Sequence, residues 1–457
     1  MKRSNVRGGK GSRLYCFCEG HIRNNTEYST AMTTKLARIS QLSATHPEMM
    51  FNQLMHHFNM DTLSRWYRML KGNAACGIDG ITKLTYGENL ADNLEDLLSR
   101  LKQMAYRPGP ANLKLIPKPD KPNAYRPLGI GNFEDKIVQK GMQQVLEAIY
   151  EPLFLDCSFG FRPKRGCHDA IRALRTHLYR EPVRVIIDLD LHNFFGTINH
   201  ELLMKVIAEK VQDPRLLRYL RRMLKAGILS DGELTISDEG VPQGSVCSTI
   251  LANIFAHHVL DHWFEDTVKH CCRGKVALFR YADDAVICCE TERDAERIKT
   301  ALINRLSKYK LKLNEDKTHI VRFDRHDRRS SGAFDFLGFT FYLGLSRQGT
   351  VIPKLKSCSK RLREKRKRIS EWCKQNRNKH RLRILWEMFC RKLRGHVQYY
   401  GVSFNGEAVN RFIKRAVYIF LKWLNRRSQR RSMDYDQFKQ FMKIYPPPPI
   451  RICHRLF

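Results

Sequence analysis

Two apolar stretches carry carboxylates where a strand tolerates them least, and this limits what the chain can fold into. Val183–Leu191 is the run richest in β-branched residues, and Asp188 and Asp190 interrupt it. Val276–Cys289 is broken in its middle by Tyr281-Ala282-Asp283-Asp284. The first run predicts a strand, the second a hairpin with both Asp at its tip. Residues two apart on a strand face the same side, so Asp188 and Asp190 cannot be one inward and one outward residue. A carboxylate in such a setting is costly to desolvate unless it is paired or bound to a cation. An Asp at the end of one strand and an Asp-Asp pair on a neighbouring hairpin can converge on two Mg²⁺ about 3.5–4 Å apart, the arrangement that serves phosphoryl transfer. Two Asp in a turn more often simply cap it, so Asp283-Asp284 alone says little.

The charge balance adds weight. In 457 residues, 81 Lys and Arg against 46 Asp and Glu leave a net charge of +35, which points to a polyanionic partner. With 42% hydrophobic and 28% charged residues the charge sits on a folded body, which disfavours histone-like chains. The fourteen cysteines lack the spacing of an oxidised framework and include no Cys-x-x-Cys pair. A reducing compartment and metal held by carboxylates, not by a zinc cage, are expected. No apolar run reaches ~18 residues and the first residues lack a signal core, so neither export nor membrane insertion is expected.

Along the chain, residues 1–33 read as a flexible basic arm. Apolar residues at helical spacing predict helices between Thr34 and Lys71 and over 88–105, then a strand over Ala111–Ile116 and long helices over 133–150 and 167–180. Helices over 200–211 and 214–227 precede the Gly-rich turn Val241-Pro242-Gln243-Gly244-Ser245, which opens an apolar helix running to about Phe264. Such a turn offers backbone N–H groups to an anion or lets a flat ligand approach closely. A helix over 292–309 and strands near 318–323 and 334–343 follow. From 354 the character changes: residues 354–381 hold thirteen Lys or Arg against two Glu, and apolar stripes predict three helices with basic outer faces. Trp372, Trp386 and Trp423 read as core anchors of these helices.

Tyr281-Ala282-Asp283-Asp284 resembles the Tyr-X-Asp-Asp motif of reverse transcriptases, and Val185-Ile186-Ile187-Asp188-Leu189-Asp190 resembles the preceding catalytic strand. The order of further elements is similar to that of group II intron-encoded reverse transcriptase/maturases of the type lacking an endonuclease. These elements are Gly77-Ile78-Asp79-Gly80, Ile116-Pro117-Lys118-Pro119, Arg126-Pro127-Leu128-Gly129-Ile130, Phe159-Gly160-Phe161-Arg162-Pro163, Val241-Pro242-Gln243-Gly244, Leu251-Ala252-Asn253-Ile254, Phe336-Leu337-Gly338-Phe339 and Lys422-Trp423-Leu424-Asn425-Arg426-Arg427. The resemblance implies that Asp190, Asp283 and Asp284 are the catalytic, metal-holding acids, with Asp188 in support. It implies that Lys118, Arg126, Phe195, Gln243 and Gly244 meet the incoming dNTP, Phe195 excluding a ribose 2′-OH, and that Leu337 and Gly338 support the primer end. Gly196, Thr249 and Ala285 depart from residues common in the family, and none of them removes a metal ligand.

The fold implied is an α+β right-hand polymerase: fingers over 34–182 with an N-terminal helical extension, a palm over 183–345 holding an antiparallel sheet, the acids and inserted helices over 200–227, and an all-α three-helix basic thumb/maturase domain over 354–457. The implied function is RNA-directed DNA polymerisation for a group II intron retroelement with two Mg²⁺, Mn²⁺ as a substitute, together with binding of the intron RNA to promote splicing. The expected partners are intron RNA, an RNA template with a DNA primer, target DNA and dNTPs, with no membrane. The expected location is cytoplasmic or an organellar matrix, nucleoid-associated on DNA. RNA contact is expected at Lys360, Arg361, Arg363, Lys365, Arg366, Lys367 and Arg368, where six basic residues with one Glu over 360–367 repel one another unless an anion is present, and at Arg426 and Arg427. Without an endonuclease module, priming is expected from a DNA nick or a replication-fork end. The rivals are a domesticated enzyme of this fold serving repair or defence, and a non-catalytic RNA-binding maturase.

Overall fold

A computed structural model describes residues 34–117, 125–230, 232–427, 429 and 432–456. The basic arm over 1–33 and Lys118 lie outside the described residues. Among the described residues, eleven strands form three sheets. Strands β1 (Ala111–Pro117) and β2 (Tyr125–Ile130) pair antiparallel, and β1 also pairs parallel with β4 (Ile228–Ser230), which carries β5 (Glu233–Thr235) at its other edge. Strands β3 (Val185–Asp190), β6 (Val276–Tyr281), β7 (Asp284–Cys289) and β8 (His319–Arg322) make an antiparallel sheet in the order β6-β7-β3-β8. Strands β9 (Phe334–Phe336), β10 (Phe339–Leu345) and β11 (Val351–Ser357) make a meander.

The sheet that carries the acids is covered on both faces, which is why β3 and β7 read as almost unbroken apolar runs. Val185, Ile187 and Leu189 enter one core with Ala285, Ile287 and Cys289 of β7. Ile186 enters a second core with Val286 and Cys288. The first core holds helix Phe133–Tyr150, the inserted helices His200–Ala208 and Pro214–Leu224, and helix Glu292–Lys308. The second joins helix Cys167–Arg180, the β9–β11 meander and the C-terminal helices.

Helices Phe133–Tyr150 and Cys167–Arg180 fall where the periodicity puts them. The helix expected over 88–105 is Leu90–Lys102, and a short unexpected helix, Lys83–Glu88, precedes it. The apolar helix expected to run to Phe264 is α-helical over Ser248–Ala256 and continues through π-helical turns His257–His262 and Phe264–Val268. The boundary expected at 354 falls inside β11, and the basic helix begins at Ser359. The three expected C-terminal helices are present (Ser359–Asn376, Leu382–Tyr400, Gly406–Leu424), and a fourth, Tyr435–Ile444, packs against Trp386 through Phe438 and Phe441. Trp386 is buried and donates its indole N–H to the Tyr445 carbonyl at 2.9 Å, while Trp372 and Trp423 are half-buried against the same core. No helix among the described residues is long and apolar enough to cross a membrane.

His396 stacks on Phe412 with ring centroids 3.8 Å apart, and neither ring nitrogen finds a hydrogen-bond partner among the described residues. Burial, aided by the charge of Lys365, lowers its pKa to about 2. The unfolded chain therefore takes up this proton first, so stability is full above pH 6.5 and is lost as pH falls below that value. The contribution amounts to about 2 kcal/mol between pH 6.5 and pH 5. Urea unfolding at pH 7 and pH 5 should show that gap narrowing by this amount in His396→Leu; an equal pH dependence in both proteins would contradict the assignment.

Candidate active site

The register of β3 on β7 sets Asp190 directly across from Asp284, and Asp284 also faces Tyr281 across the hairpin. Between them Ala282 and Asp283 form a two-residue turn, with Ala282 at φ +59. All three acids of the expected triad therefore meet at one end of the sheet. Burial, then the neighbouring Asp283 charge, pushes the Asp284 carboxyl up to about 7, while Arg361 and the Leu337 N–H pull against that rise. Burial and Asp190 raise Asp283, against its own backbone N–H and the charges of Arg126 and Lys317. Asp188, opposite His319 on β8, is raised to about 7 by burial and then by Asp284, Asp335 and Asp190. This is a concentration of negative charge that a cation would relieve.

Asp190 accepts a hydrogen bond from Asn314 Nδ2 at 2.9 Å and pairs with the Lys317 ammonium. Sequence reasoning missed both residues: they sit in a polar loop between a helix and β8, and nothing local marks them. The donor set of the acids is all oxygen, which suits a hard divalent cation. As the side chains stand, no three His, Cys, Asp or Glu among the described residues are gathered to hold one ion. Asp190 is turned toward its nitrogen partners instead.

The expected nucleotide contacts arrive from the other side. Arg126 is exposed on β2, and its charge reaches Asp283. The Gly129 N–H donates to the Gln243 carbonyl at 2.7 Å, which lays the Val241–Gly244 turn along β2. Gly244 sits at φ +108, and a Cβ there would stand 2.7 Å from the Gly129 oxygen. Phe195, in the single helical turn Phe194–Thr197, meets Phe161 edge-on at 6.2 Å and accepts from the Val241 N–H at 2.7 Å through its carbonyl. A Cβ at Gly196 would lie 2.4 Å from the Asn193 amide, so a side chain there would require the exposed Asn193 side chain to move.

Leu337 and Gly338, both at positive φ, turn β9 into β10, and the Leu337 N–H points to Asp284. The turn is held from the helical domain by Tyr399 Oη on the Leu337 carbonyl at 2.6 Å and by the Cys358 N–H on the Gly338 carbonyl at 3.0 Å. The basic residues expected to meet RNA divide. Lys360, Arg363, Lys367, Arg368 and Arg426 are exposed. Lys365 and Arg366 are half-buried, Lys365 lying over the Tyr400 ring. Arg427 donates to the His380 carbonyl at 3.2 Å. Arg361 is exposed as well, with its side chain lying against Gly338 and its charge reaching Asp284.

Residues 116–341, which include the sheet with the acids, match the model of the family described as reverse transcriptase (RNA-dependent DNA polymerase). The chain is 33% identical over 311 residues to Protein YkfC of Escherichia coli (strain K12), which spans 62% of this chain and 79% of that protein. It is 32% identical over 225 residues to group II intron-encoded protein LtrA of Lactococcus lactis subsp. cremoris, across 49% of this chain and 37% of LtrA. It is also 33% identical over 266 residues to an uncharacterized 91 kDa protein in the cob intron of Schizosaccharomyces pombe, across 58% of this chain and 31% of that protein. Fold and family match together make this a protein of the reverse transcriptase class. Within that class the chain belongs to the group II intron-encoded reverse transcriptase/maturase family. It spans about a third of the length of the two intron-encoded relatives.

Gly244→Ala forces both an unfavourable φ and a collision with β2, so a loss of about 1–3 kcal/mol is expected. Thermal unfolding of the variant measures it, and an unchanged midpoint would show that the turn can leave β2 freely.

Proposed function

We propose that the chain is an RNA-directed DNA polymerase of a group II intron retroelement that extends a primer 3′-OH with dNTPs and also binds the intron RNA to promote its splicing. The observation that carries this reading is the cross-strand pairing of Asp190 with Asp284 beside the Asp283 turn, in a chain of this family. In right-hand terms, residues 34–182 form the fingers, 183–345 the palm and the basic C-terminal helices the thumb. Asp190, Asp283 and Asp284 are the residues that would hold two Mg²⁺, or Mn²⁺ in their place. When bound there, such ions would supply activation of the primer hydroxyl and charge stabilisation for the departing pyrophosphate.

The remaining steps belong to the chain's own side chains. Arg126, with Lys118, neutralises the triphosphate, as guanidinium and ammonium groups suit phosphate oxygens. Phe195 closes on the sugar and disfavours a 2′-OH. Gln243 and Gly244 lie beneath the nucleotide and the templating base, and the Leu337–Gly338 turn supports the primer end. The exposed Lys360, Arg363, Lys367, Arg368 and Arg426 neutralise RNA phosphates. The protein acts in a cytoplasmic or matrix-like compartment and joins the nucleoid when it acts on target DNA.

One observation favours a second reading, a maturase that grips RNA without polymerising: the Lys317 ammonium already pairs with Asp190. Extension of a DNA primer on an RNA template with dNTPs and Mg²⁺ separates the two. Natural protein should extend the primer, and Asp283→Ala should lose extension while keeping template binding. Tight RNA binding with no extension by the natural protein would instead favour the maturase. In the same binding assay, changing Lys360, Arg363, Lys367 and Arg368 to Gln together should flatten the log–log salt slope by about 3. An unaltered slope would remove this helix face from the RNA interface.

A further inference from the structure

Arg280 lies in β6 immediately before the motif turn, and both its side chain and that of Asp261 have no solvent exposure. Its Nε donates to Asp261 Oδ1 at 2.6 Å and its Nη2 to Oδ2 at 2.5 Å, a bidentate fork. Nη2 also donates to Ser158 Oγ at 2.7 Å, and Nη1 to Asn253 Oδ1 at 3.3 Å and to the Ala282 carbonyl at 3.0 Å. All five N–H donors of the guanidinium are thereby used. One acceptor, the Ala282 carbonyl, belongs to the turn that carries Asp283. The same turn is pressed from below, since a Cβ on Gly160 would stand 2.3 Å from the Ala282 nitrogen and the Gly160 carbonyl is held by Asn253 Nδ2 at 2.7 Å.

The helix opposite is shaped to this contact. Asn253 and Asp261 are eight residues apart, which in an α-helix leaves them about 80° off one face. The π-helical turn His257–His262 holds more residues than an α turn and takes that rotation back, so both side chains face Arg280. A buried ion pair of this kind adds little stability over apolar residues of similar size, because desolvation offsets the attraction. What apolar residues cannot supply is a donor aimed at the Ala282 carbonyl from a fixed direction.

We propose that Arg280, held by Asp261, is a positioning residue that fixes the Ala282–Asp283 turn and so sets the Asp283 carboxylate beside Asp190 and Asp284. The proposal rests on the polymerase reading for its kinetic consequence, and on the hairpin alone for its structural one. The test replaces the pair by apolar residues, Arg280→Met with Asp261→Leu, in the full chain. Thermal unfolding should stay close to natural, and the KM for dNTP and the Kd for template–primer should stay within about twofold. The kcat for single-nucleotide addition should fall about 100-fold, as a displacement near 1 Å does at a reacting centre. Hydrogen exchange should rise at the amides of Tyr281–Asp284 and not elsewhere in the sheet.

If the double variant does not fold, Arg280→Lys keeps the charge but cannot make the fork, and the same split between kcat and KM and the same local exchange are expected. A folded variant with natural kcat and natural exchange at the turn would overturn the proposal. If natural protein extends no primer, the polymerase reading fails on its own, and the exchange comparison still decides whether Arg280 holds the turn.

Discussion

The antiparallel register of β3 on β7 is the constraint on which most of the molecule depends. Alternate residues of both strands enter two different cores, Val185, Ile187 and Leu189 on one side and Ile186 on the other. A slip of one residue would send each set into the wrong core, so packing on both faces fixes the register far more firmly than hydrogen bonding alone. That register brings Asp190 opposite Asp284. The geometry of the acids is thus a consequence of apolar packing several residues away. The acids themselves oppose it, since the rise of the Asp188 and Asp284 pKa values to about 7 marks the cost of gathering charge in a half-buried place.

Positive charge reaches this end of the sheet in two forms that do different work. Arg126, Lys317 and Arg361 come from three separate segments and are exposed; Lys317 pairs directly with Asp190, while Arg126 and Arg361 act on Asp283 and Asp284 through their charge. Such groups can exchange partners at small cost, because water stands ready to replace the carboxylate. Arg280 is the opposite case: buried, bidentate and saturated, it could leave Asp261 only by exposing an unpaired charge to an apolar interior. The first kind stands around the acid cluster, and the second lies beneath the turn that carries Asp283.

Much of this was legible in the sequence where the local signal and the tertiary contact agree. Helices Phe133–Tyr150 and Cys167–Arg180 end just before Glu151-Pro152 and Glu181-Pro182, dipeptides that disfavour further α-helix. The hairpin with its acids was readable because carboxylates in an apolar run have few explanations. Strand β11 was hidden by its own composition: Pro353, Leu355 and Ser357 are buried in alternation, but Lys354 and Lys356 between them merge with the basic run beyond. Lys317, Asn314 and the approach of Arg361 to Gly338 were illegible for a different reason, since their roles depend on residues more than a hundred positions away or on a turn in another sheet. Arg280 stood in plain view as a charge inside an apolar strand. It is as costly to bury as Asp188 or Asp190, and a buried carboxylate answers it in place of a metal.

The basic helix and the acid cluster share one mechanical path. Ser359–Asn376 begins beside the Leu337–Gly338 turn, whose carbonyls are held by Cys358 and Tyr399 and whose Leu337 N–H points to Asp284. Arg361 lies in the first turn of that helix, against Gly338, with its charge on Asp284, and is exposed like Lys360 and Arg363 beside it. A polyanion drawn to the exposed face would pull on the same turn of helix that carries Arg361. Any shift of the helix along its axis would therefore change both the support of the turn and the charge felt by Asp284. The exposed basic turn of helix and the Asp284 carboxylate are in this way joined through the Leu337–Gly338 turn, which itself packs against the second core.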